Sequence, residues 1–284
     1  MIRKAVITAA GLGTRLIPAT KEMPKEMLPI FVRSDSGPVL KPLLQVLFEK
    51  LYEFGIKEFC FVVGRGKRAI EDHFTPDWEF VEKLESKGKT NQAGELEGFY
   101  RMLEKSVIVW VNQPSPLGFG DAVLRSRPFA DEDFLLCAGD TYVHSPNNDF
   151  LKSLKALRAE SICEVSLLLR RIENPSRFGV AVVEDDTVDR LRVVRVVEKP
   201  SVPPSDLAIL PFYVFTPQIF DALDSIGLGY GGEFQLTDAI QLLIDRGKVV
   251  MAVELPDSDI WLDVGTPESY FEALKISYAL SGGA

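Results

Sequence analysis

Short apolar runs alternate along the chain with stretches whose apolar positions recur at helical spacing. KAVITA (4–9) is rich in β-branched residues and ends at Gly11 and Gly13, as a buried strand entering a loop should. Leu43, Leu47, Leu51 and Phe54 repeat with helical period, Gly55 offers a left-handed cap, and Ile56 supplies the apolar contact after it. EFCFVV (58–63), IVWVN (108–112) and DFLLC (133–137) predict further strands, the last two separated by a helix over 120–127. Strand and helix in repetition imply a parallel sheet with crossover helices.

Two regions break that rhythm. Residues 75–106 are polar and carry one helical piece, EFVEKLESK, which predicts an insertion laid over one face. From 163 to 215 the runs VSLLL, GVAVV, LRVVRVV and LAILPFYVF crowd together with few helix signals, and they predict mixed or antiparallel strands added to the sheet. Helices return at 234–246 and 267–281, the second opened by Thr266 as N-cap and Pro267 at the first helical position. No repeat, low-complexity tract or linker divides the chain, so one α/β domain over 1–284 is expected, with 75–106 as an insertion and 163–284 as its C-terminal part.

Composition narrows the classes. The hydrophobic fraction of 46% fits a full core, and a formal net charge of -9 argues against a nucleic-acid partner. An acidic protein still binds phosphates if a few Lys and Arg converge on one cleft. Cys60, Cys137 and Cys163 each lie in apolar, strand-like settings without a CxxC pair, which reads as buried thiols in a reducing compartment. Two histidines are too few for a His-based metal cage; His144 reads as a turn residue without a role. The opening MIRKAVITAAGLG is too short for a signal peptide, and no run reaches the roughly 20 apolar residues of a membrane helix. A soluble, cytoplasmic protein is expected.

Candidate chemistry concentrates in GLGTRLIPATKEMPKEMLP, from Gly11 to Pro29, directly after the first strand. Its glycines let backbone N–H groups approach an anion, and Arg15, Lys21 and Lys25 supply positive charge for phosphate oxygens. A dinucleotide fingerprint needs glycine where Leu16 stands, and Pro18 stops the helix that should follow. A P-loop needs Ser or Thr after Gly-Lys, yet Arg68 follows Gly66-Lys67; the stretch RGKRA (65–69) reads as a solvated helix start. A lone GxG loop is weak; the whole string is not.

That string resembles the signature of the bacterial-type UTP–glucose-1-phosphate uridylyltransferases, which are similar to the glucose-1-phosphate thymidylyltransferases. KPLL (41–44), the segment 71–89, QPSPLGFGDAV (113–123), AGDT (138–141), RFGVA (177–181), VEKP (197–200), GGEFQLTDAI (231–240) and WLDVGTPESY (261–270) extend the resemblance over nearly the whole chain in order. It implies a Rossmann-like, three-layer nucleotidyltransferase fold with a mixed, mainly parallel central sheet. The implied reaction transfers a uridylyl group from UTP to glucose 1-phosphate with Mg²⁺, giving UDP-glucose and pyrophosphate. Homo-oligomers, dimers or tetramers, are implied as well.

By the same resemblance, Ala10, Gly11, Gly13, Glu26, Gln113 and Gly118 hold the nucleotide, and a Gln can both donate to and accept from a pyrimidine edge. Arg15 and Lys25 face the triphosphate. Asp140 and Asp263 hold Mg²⁺, a hard ion suited to one or two carboxylates plus phosphate oxygens. Glu198 takes the sugar hydroxyls, Lys199 the sugar phosphate, and Gly179 leaves room for the sugar. Arg15, Lys25, Asp140 and Lys199 thereby become the expected catalytic set.

Three positions depart from the family pattern. Pro211 replaces a glycine in LPFYVF, a strand expected to line the sugar pocket. Asp121 stands where His is common, beside an expected anionic ligand. WLDVGTP is closer to the thymidylyltransferase form of the metal motif. A dTTP-using thymidylyltransferase or a dual-specificity enzyme is the alternative reading, with a non-catalytic nucleotide-sugar-binding paralogue behind it.

Overall fold

In the computed structural model, which describes residues 2–160, 163–187 and 190–283, strand β1 (Lys4–Ala9) sends Ala5, Ile7 and Ala9 to one face and Val6 to the other. Ile162 of the apolar run around Cys163 lies outside these residues. A hairpin of β2 (Pro29–Ser34) and β3 (Gly37–Pro42) follows, then α1 (Leu43–Glu53) and β4 (Glu58–Gly64). Next come α2 (Arg68–His73), α3 (Trp78–Ser86), α4 (Thr90–Glu104), β5 (Val107–Gln113), α5 (Phe119–Arg125) and β6 (Phe134–Ala138). A short β7 (Thr141–His144) and α6 (Asp149–Glu160) lead into four long strands: β8 (Val165–Arg171), β9 (Gly179–Thr187), β10 (Arg190–Glu198) and β11 (Leu207–Phe215). The chain closes with α7 (Gln218–Ser225), α8 (Leu236–Asp245), β12 (Val250–Glu254), β13 (Ile260–Asp263) and α9 (Pro267–Leu280).

Among the described residues, nine strands form one mixed sheet in the order β5-β4-β1-β6-β11-β8-β12-β10-β9. Only β11 and β10 run against the other seven, so the sheet is parallel in strand direction for the most part, as expected. The antiparallel pairings all involve strands from the 163–215 region, where the crowded apolar runs stand. Helices α1–α4 and α6 bury their apolar sides on one face of the sheet, and α5, α7 and α8 on the other. Alternate residues of β4 and β6 divide between these two cores in the same way as those of β1.

Phe48 of α1 sits fully buried with the rings of Phe59, Phe74 and Phe99 at 4.7, 5.5 and 5.9 Å, a cluster that ties three elements to β4. Burying one such side chain contributes about 1.5–3 kcal/mol. Gly55 has φ 105, so the left-handed cap expected after α1 is present. Thr266 caps α9 and exchanges hydrogen bonds with Ser269 in a capping box.

The structure departs from the expectations at several points. Residues 75–106 hold two helices, α3 and α4, joined by the Trp78–Tyr100 ring contact at 5.6 Å. Gly94 and Gly98 inside α4 weaken its helical signal, so only α3 shows in the pattern. The β2–β3 hairpin turns at Gly37, φ 108, and was hidden by prolines at 29, 38 and 42. His144 ends strand β7 and does not sit in a turn. Strands β7 and β13, four residues each, pair outside the main sheet and are too short to display alternation. Together with the hairpin and α9 they enclose a third, smaller core around Ile30, Leu43 and Leu262. All three cysteines are buried and free.

Candidate active site

Strands β1, β4, β5 and β6 are parallel, so their carboxyl ends open on one edge, where sheets of this class bind ligands. The loop after β1 borders a cavity of about 400 Å³ together with the ends of β5 and β6. Ala10, Gly11, Gly13, Lys25, Glu26, Gln113, Gly118 and Asp140 all line it. A second cavity of about 370 Å³ lies beside it, lined by Arg15, Asp140, Gly179, Glu198, Lys199, Pro211 and Asp263 among others. Asp140, Phe119 and Glu233 border both, so the two halves meet at the carboxylate that follows β6.

The junction is charged. Lys25 donates a hydrogen bond to Asp140 in a half-buried ion pair. Burial opposes the Lys25 ammonium, but Asp140 and Glu26 outweigh it and raise its pKa above the ordinary lysine value. Burial also opposes the Asp140 charge, yet Lys25 and Arg15 hold its carboxyl below the usual aspartate value. Asp263 is brought alongside by strand pairing, since it faces Thr141, the residue next to Asp140. Burial and the Asp140 charge both push the Asp263 carboxyl up. Among the described residues Asp263 has no ion pair of its own. Ser269, the Gly265 backbone and the Arg15 charge offset that push only in part, and two neighbouring carboxylates form the oxygen donor set that a hard divalent cation satisfies. No group of three or more acidic, His or Cys ligands is found among the described residues, so an ion held here would draw its remaining ligands from other oxygens, phosphate and water among them.

In the second cavity the strand end turns as the Glu198-Lys199 pair requires. Lys199 has φ 39, which reverses the pleat, so both side chains line the same cavity. Glu198 Oε2 accepts from Thr237 Oγ1 at 2.6 Å, and Lys199 Nζ stands 3.3 Å from Glu198 Oε1 and 5.3 Å from the Tyr230 ring centre. A Cβ on Gly179 would lie 3.0 Å from Thr237 Oγ1 and 3.2 Å from Glu198 Oε2, so the glycine makes room for those two side chains. Pro211 lines this cavity, next to the irregular register of β11 between Leu210 and Tyr213.

In the first cavity Gln113, at the end of β5, donates from Nε2 to the Gly118 carbonyl at 3.1 Å and to Asp121 Oδ2 at 2.8 Å. Gly118 has φ 111, and a Cβ there would lie 2.6 Å from the Phe234 carbonyl oxygen, so only glycine fits this turn.

Three residues of the Gly11–Pro29 string and its surroundings are placed differently from expectation. Lys21 is exposed beside Glu22 and reaches neither cavity. Glu26 is 1% exposed and its carboxylate receives Lys67 Nζ at 2.7 Å, so its charge is matched inside the protein although it borders the cavity. Lys67 is therefore not part of a solvated helix start; it is buried and anchors the Gly11–Pro29 loop to the start of α2. Sequence reasoning missed Thr237, whose hydroxyl orients Glu198, although GGEFQLTDAI contains it. It also missed Trp261, which meets Phe178 edge to face at 5.5 Å on the wall of the second cavity.

Comparison with known proteins agrees with this geometry. The nucleotidyl transferase family matches residues 4–278. A UTP–glucose-1-phosphate uridylyltransferase of Bacillus subtilis is 41% identical, over 87% of this chain and 82% of its own. One of Pseudomonas aeruginosa is 35% identical, over 98% of this chain and 96% of its own. The crystal structure of a UDP-glucose pyrophosphorylase complexed with UDP-glucose superposes with a TM-score of 0.85 at 31% identity, covering 98% of this chain and 99% of that one. With strand order, charged junction and whole-length similarity in accord, the chain belongs to the nucleotidyl transferase family and groups there with the UTP–glucose-1-phosphate uridylyltransferases.

Proposed function

We propose that the protein transfers a uridylyl group from UTP to glucose 1-phosphate, releasing pyrophosphate and giving UDP-glucose. The observation that carries this reading is the pair of adjoining cavities that meet at Asp140, with Arg15 bordering one and Lys25 the other. One half has the glycine loop and Gln113 for a nucleotide; the other has Glu198 and Lys199 for a sugar phosphate.

The chemistry asks for positioning and charge, not for a nucleophilic side chain. The phosphate of glucose 1-phosphate has a second pKa of about 6, so it is a dianion near neutrality and needs no general base. One of its oxygens attacks the α-phosphorus of UTP, the bond from that phosphorus to the bridging oxygen breaks, and pyrophosphate leaves with the electron pair. Two negative groups must be brought into line, which is an orientational task. Lys199 neutralises the incoming phosphate. Lys25, kept cationic by its raised pKa, balances charge on the departing pyrophosphate, and Arg15, which lines the sugar-phosphate cavity near Asp140, adds positive charge at the junction where the two phosphates meet. Asp140 and Asp263 are the residues that would hold Mg²⁺, which supplies positive charge to the phosphate oxygens when bound. Glu198, held by Thr237, accepts from sugar hydroxyls.

Uracil and thymine differ by one methyl group, and apolar contacts of that size discriminate by about 10–200-fold at most. Slower turnover of dTTP beside UTP is therefore expected. Residues 163–284 form the sugar-binding and C-terminal part in this reading, and the chain acts in the cytoplasm. The reverse reaction tests the assignment: UDP-glucose, pyrophosphate and Mg²⁺ should give UTP and glucose 1-phosphate, resolved by anion-exchange chromatography. If UDP-glucose remains intact while the protein is folded, the reading is wrong.

A further inference from the structure

Asp121 is 4% exposed, on the first turn of α5, in a protein of net charge -9 and beside a cavity assigned to a triphosphate. It does not itself line that cavity; its side chain bonds to Gln113, which does, and to Arg125. Its Oδ2 accepts from Gln113 Nε2 at 2.8 Å, and its Oδ1 accepts from Arg125 Nη2 at 2.8 Å. The second hydrogen of Gln113 Nε2 goes to the Gly118 carbonyl at 3.1 Å. A primary amide has two N–H hydrogens, so both donors of Gln113 are engaged within the fold. Its Oε1 receives nothing from the described residues, and Gln113 borders the cavity.

We propose that Asp121 is a positioning residue that fixes the orientation of the Gln113 amide and so sets which pyrimidine the nucleotide half accepts. The inference rests on the reading that Gln113 holds the base. A carboxylate can only accept, so an Oε1 turned toward it would meet like charge at hydrogen-bond distance; the amide is held with Nε2 inward. Arg125 fixes the far oxygen of the same carboxylate and keeps it from rotating away. Gln113 therefore presents an acceptor and no donor, contrary to the two-way reading of a free glutamine. The edge of uracil or thymine offers N3–H to that acceptor. Cytosine has a bare, accepting N3 in the same place, so two lone pairs would face each other in a buried site. Acceptor facing acceptor leaves both groups unsatisfied, which is the strongest form of hydrogen-bond discrimination.

Asp121→Asn separates this role from simple packing, because it keeps the shape and changes one acceptor into a donor. Arg125 should retain the remaining oxygen of the new side chain, which turns its N–H₂ toward Gln113. The inward position of Gln113 Nε2 is then no longer favoured, although the Gly118 carbonyl still accepts from it. The experiment measures kcat/KM for UTP and for CTP, with saturating glucose 1-phosphate and Mg²⁺, in wild type, Asp121→Asn, Gln113→Ala and the double variant. The expected result is that Asp121→Asn lowers the UTP-to-CTP ratio by about tenfold or more, the loss of one well-made hydrogen bond in a buried site. KM for glucose 1-phosphate should stay at the wild-type value, and adding Asp121→Asn to Gln113→Ala should change the ratio no further. An unchanged ratio in Asp121→Asn, or an equal fall in the Gln113→Ala background, overturns the inference while leaving the base-binding role of Gln113 intact. If Gln113→Ala leaves KM for UTP unaltered, that role falls and this inference with it. Should Asp121→Asn not fold, Asp121→Ser, whose hydroxyl can donate or accept, carries the same expectation.

Discussion

Lys25 and Asp140, 115 positions apart in the chain, form a direct ion pair where the two cavities meet. Each holds the other in its charged form, the lysine above and the aspartate below its ordinary pKa, against the burial that opposes both. The cleft thus carries a fixed cation and a fixed anion before any substrate enters.

Removing the cation tests its part in the chemistry. Lys25→Ala should lower kcat by about 10²–10³, the usual scale for losing one charge-stabilising group, with little change in glucose 1-phosphate KM. Steady-state kinetics with each substrate varied decides it; wild-type turnover in the variant would take Lys25 out of the mechanism.

Asp140→Asn and Asp263→Asn should each lose the Mg²⁺-dependent activity, and added Mg²⁺ in the millimolar range should restore little of it. EDTA should silence the wild type reversibly. Full activity of either variant at ordinary Mg²⁺ would move the metal elsewhere.

The buried Lys67–Glu26 pair predicts a stability effect. Lys67→Met leaves a carboxylate that is 1% exposed without its main partner, at a cost of about 3–5 kcal/mol, nearer the lower figure because Lys25 stands close. Glu26→Gln combined with Lys67→Met should recover most of that loss in a thermal melt. A double variant no more stable than Lys67→Met would mean that the pair is not what fails.

Lys50 predicts a pH effect of known sign. Its Nζ donates to the Ser145 carbonyl at 3.1 Å and lies 5.3 Å from the Tyr142 ring centre, without a carboxylate in ion-pair contact among the described residues. Burial lowers its pKa to about 8 from 10.5. Between those values the unfolded chain holds a proton that the folded one has released, so stability rises with pH across that window. Below about pH 8 both states are protonated and the full cost of charging the site, on the order of 3 kcal/mol, is present. The melting temperature of the wild type relative to Lys50→Met should therefore climb by a few degrees from pH 7.5 to 10. A difference that stays flat would contradict it.

The buried elements were legible in the sequence because strand and helix periods stand out where one face is apolar: β1, β4, β6 and α1 are found where their patterns lie. The β2–β3 hairpin and the β7–β13 pair were not, being short, proline-bearing or outside the main sheet. For the cleft, the charged motifs named Arg15, Lys25, Asp140, Lys199 and Asp263, and the fold brings all five to its two cavities. Partners one step removed were invisible. Lys67 looked solvated because nothing in RGKRA points to Glu26, 41 positions away. Thr237 and Asp121 act through Glu198 and Gln113, and such contacts exist only once distant strands and helices are packed.

The most direct test of the central claim is the rate of pyrophosphate release with Mg²⁺ and glucose 1-phosphate, UTP and dTTP compared side by side. Release should require both substrates and Mg²⁺ and should be faster with UTP than with dTTP. No release above background with either nucleotide, from protein shown to be folded, would contradict it.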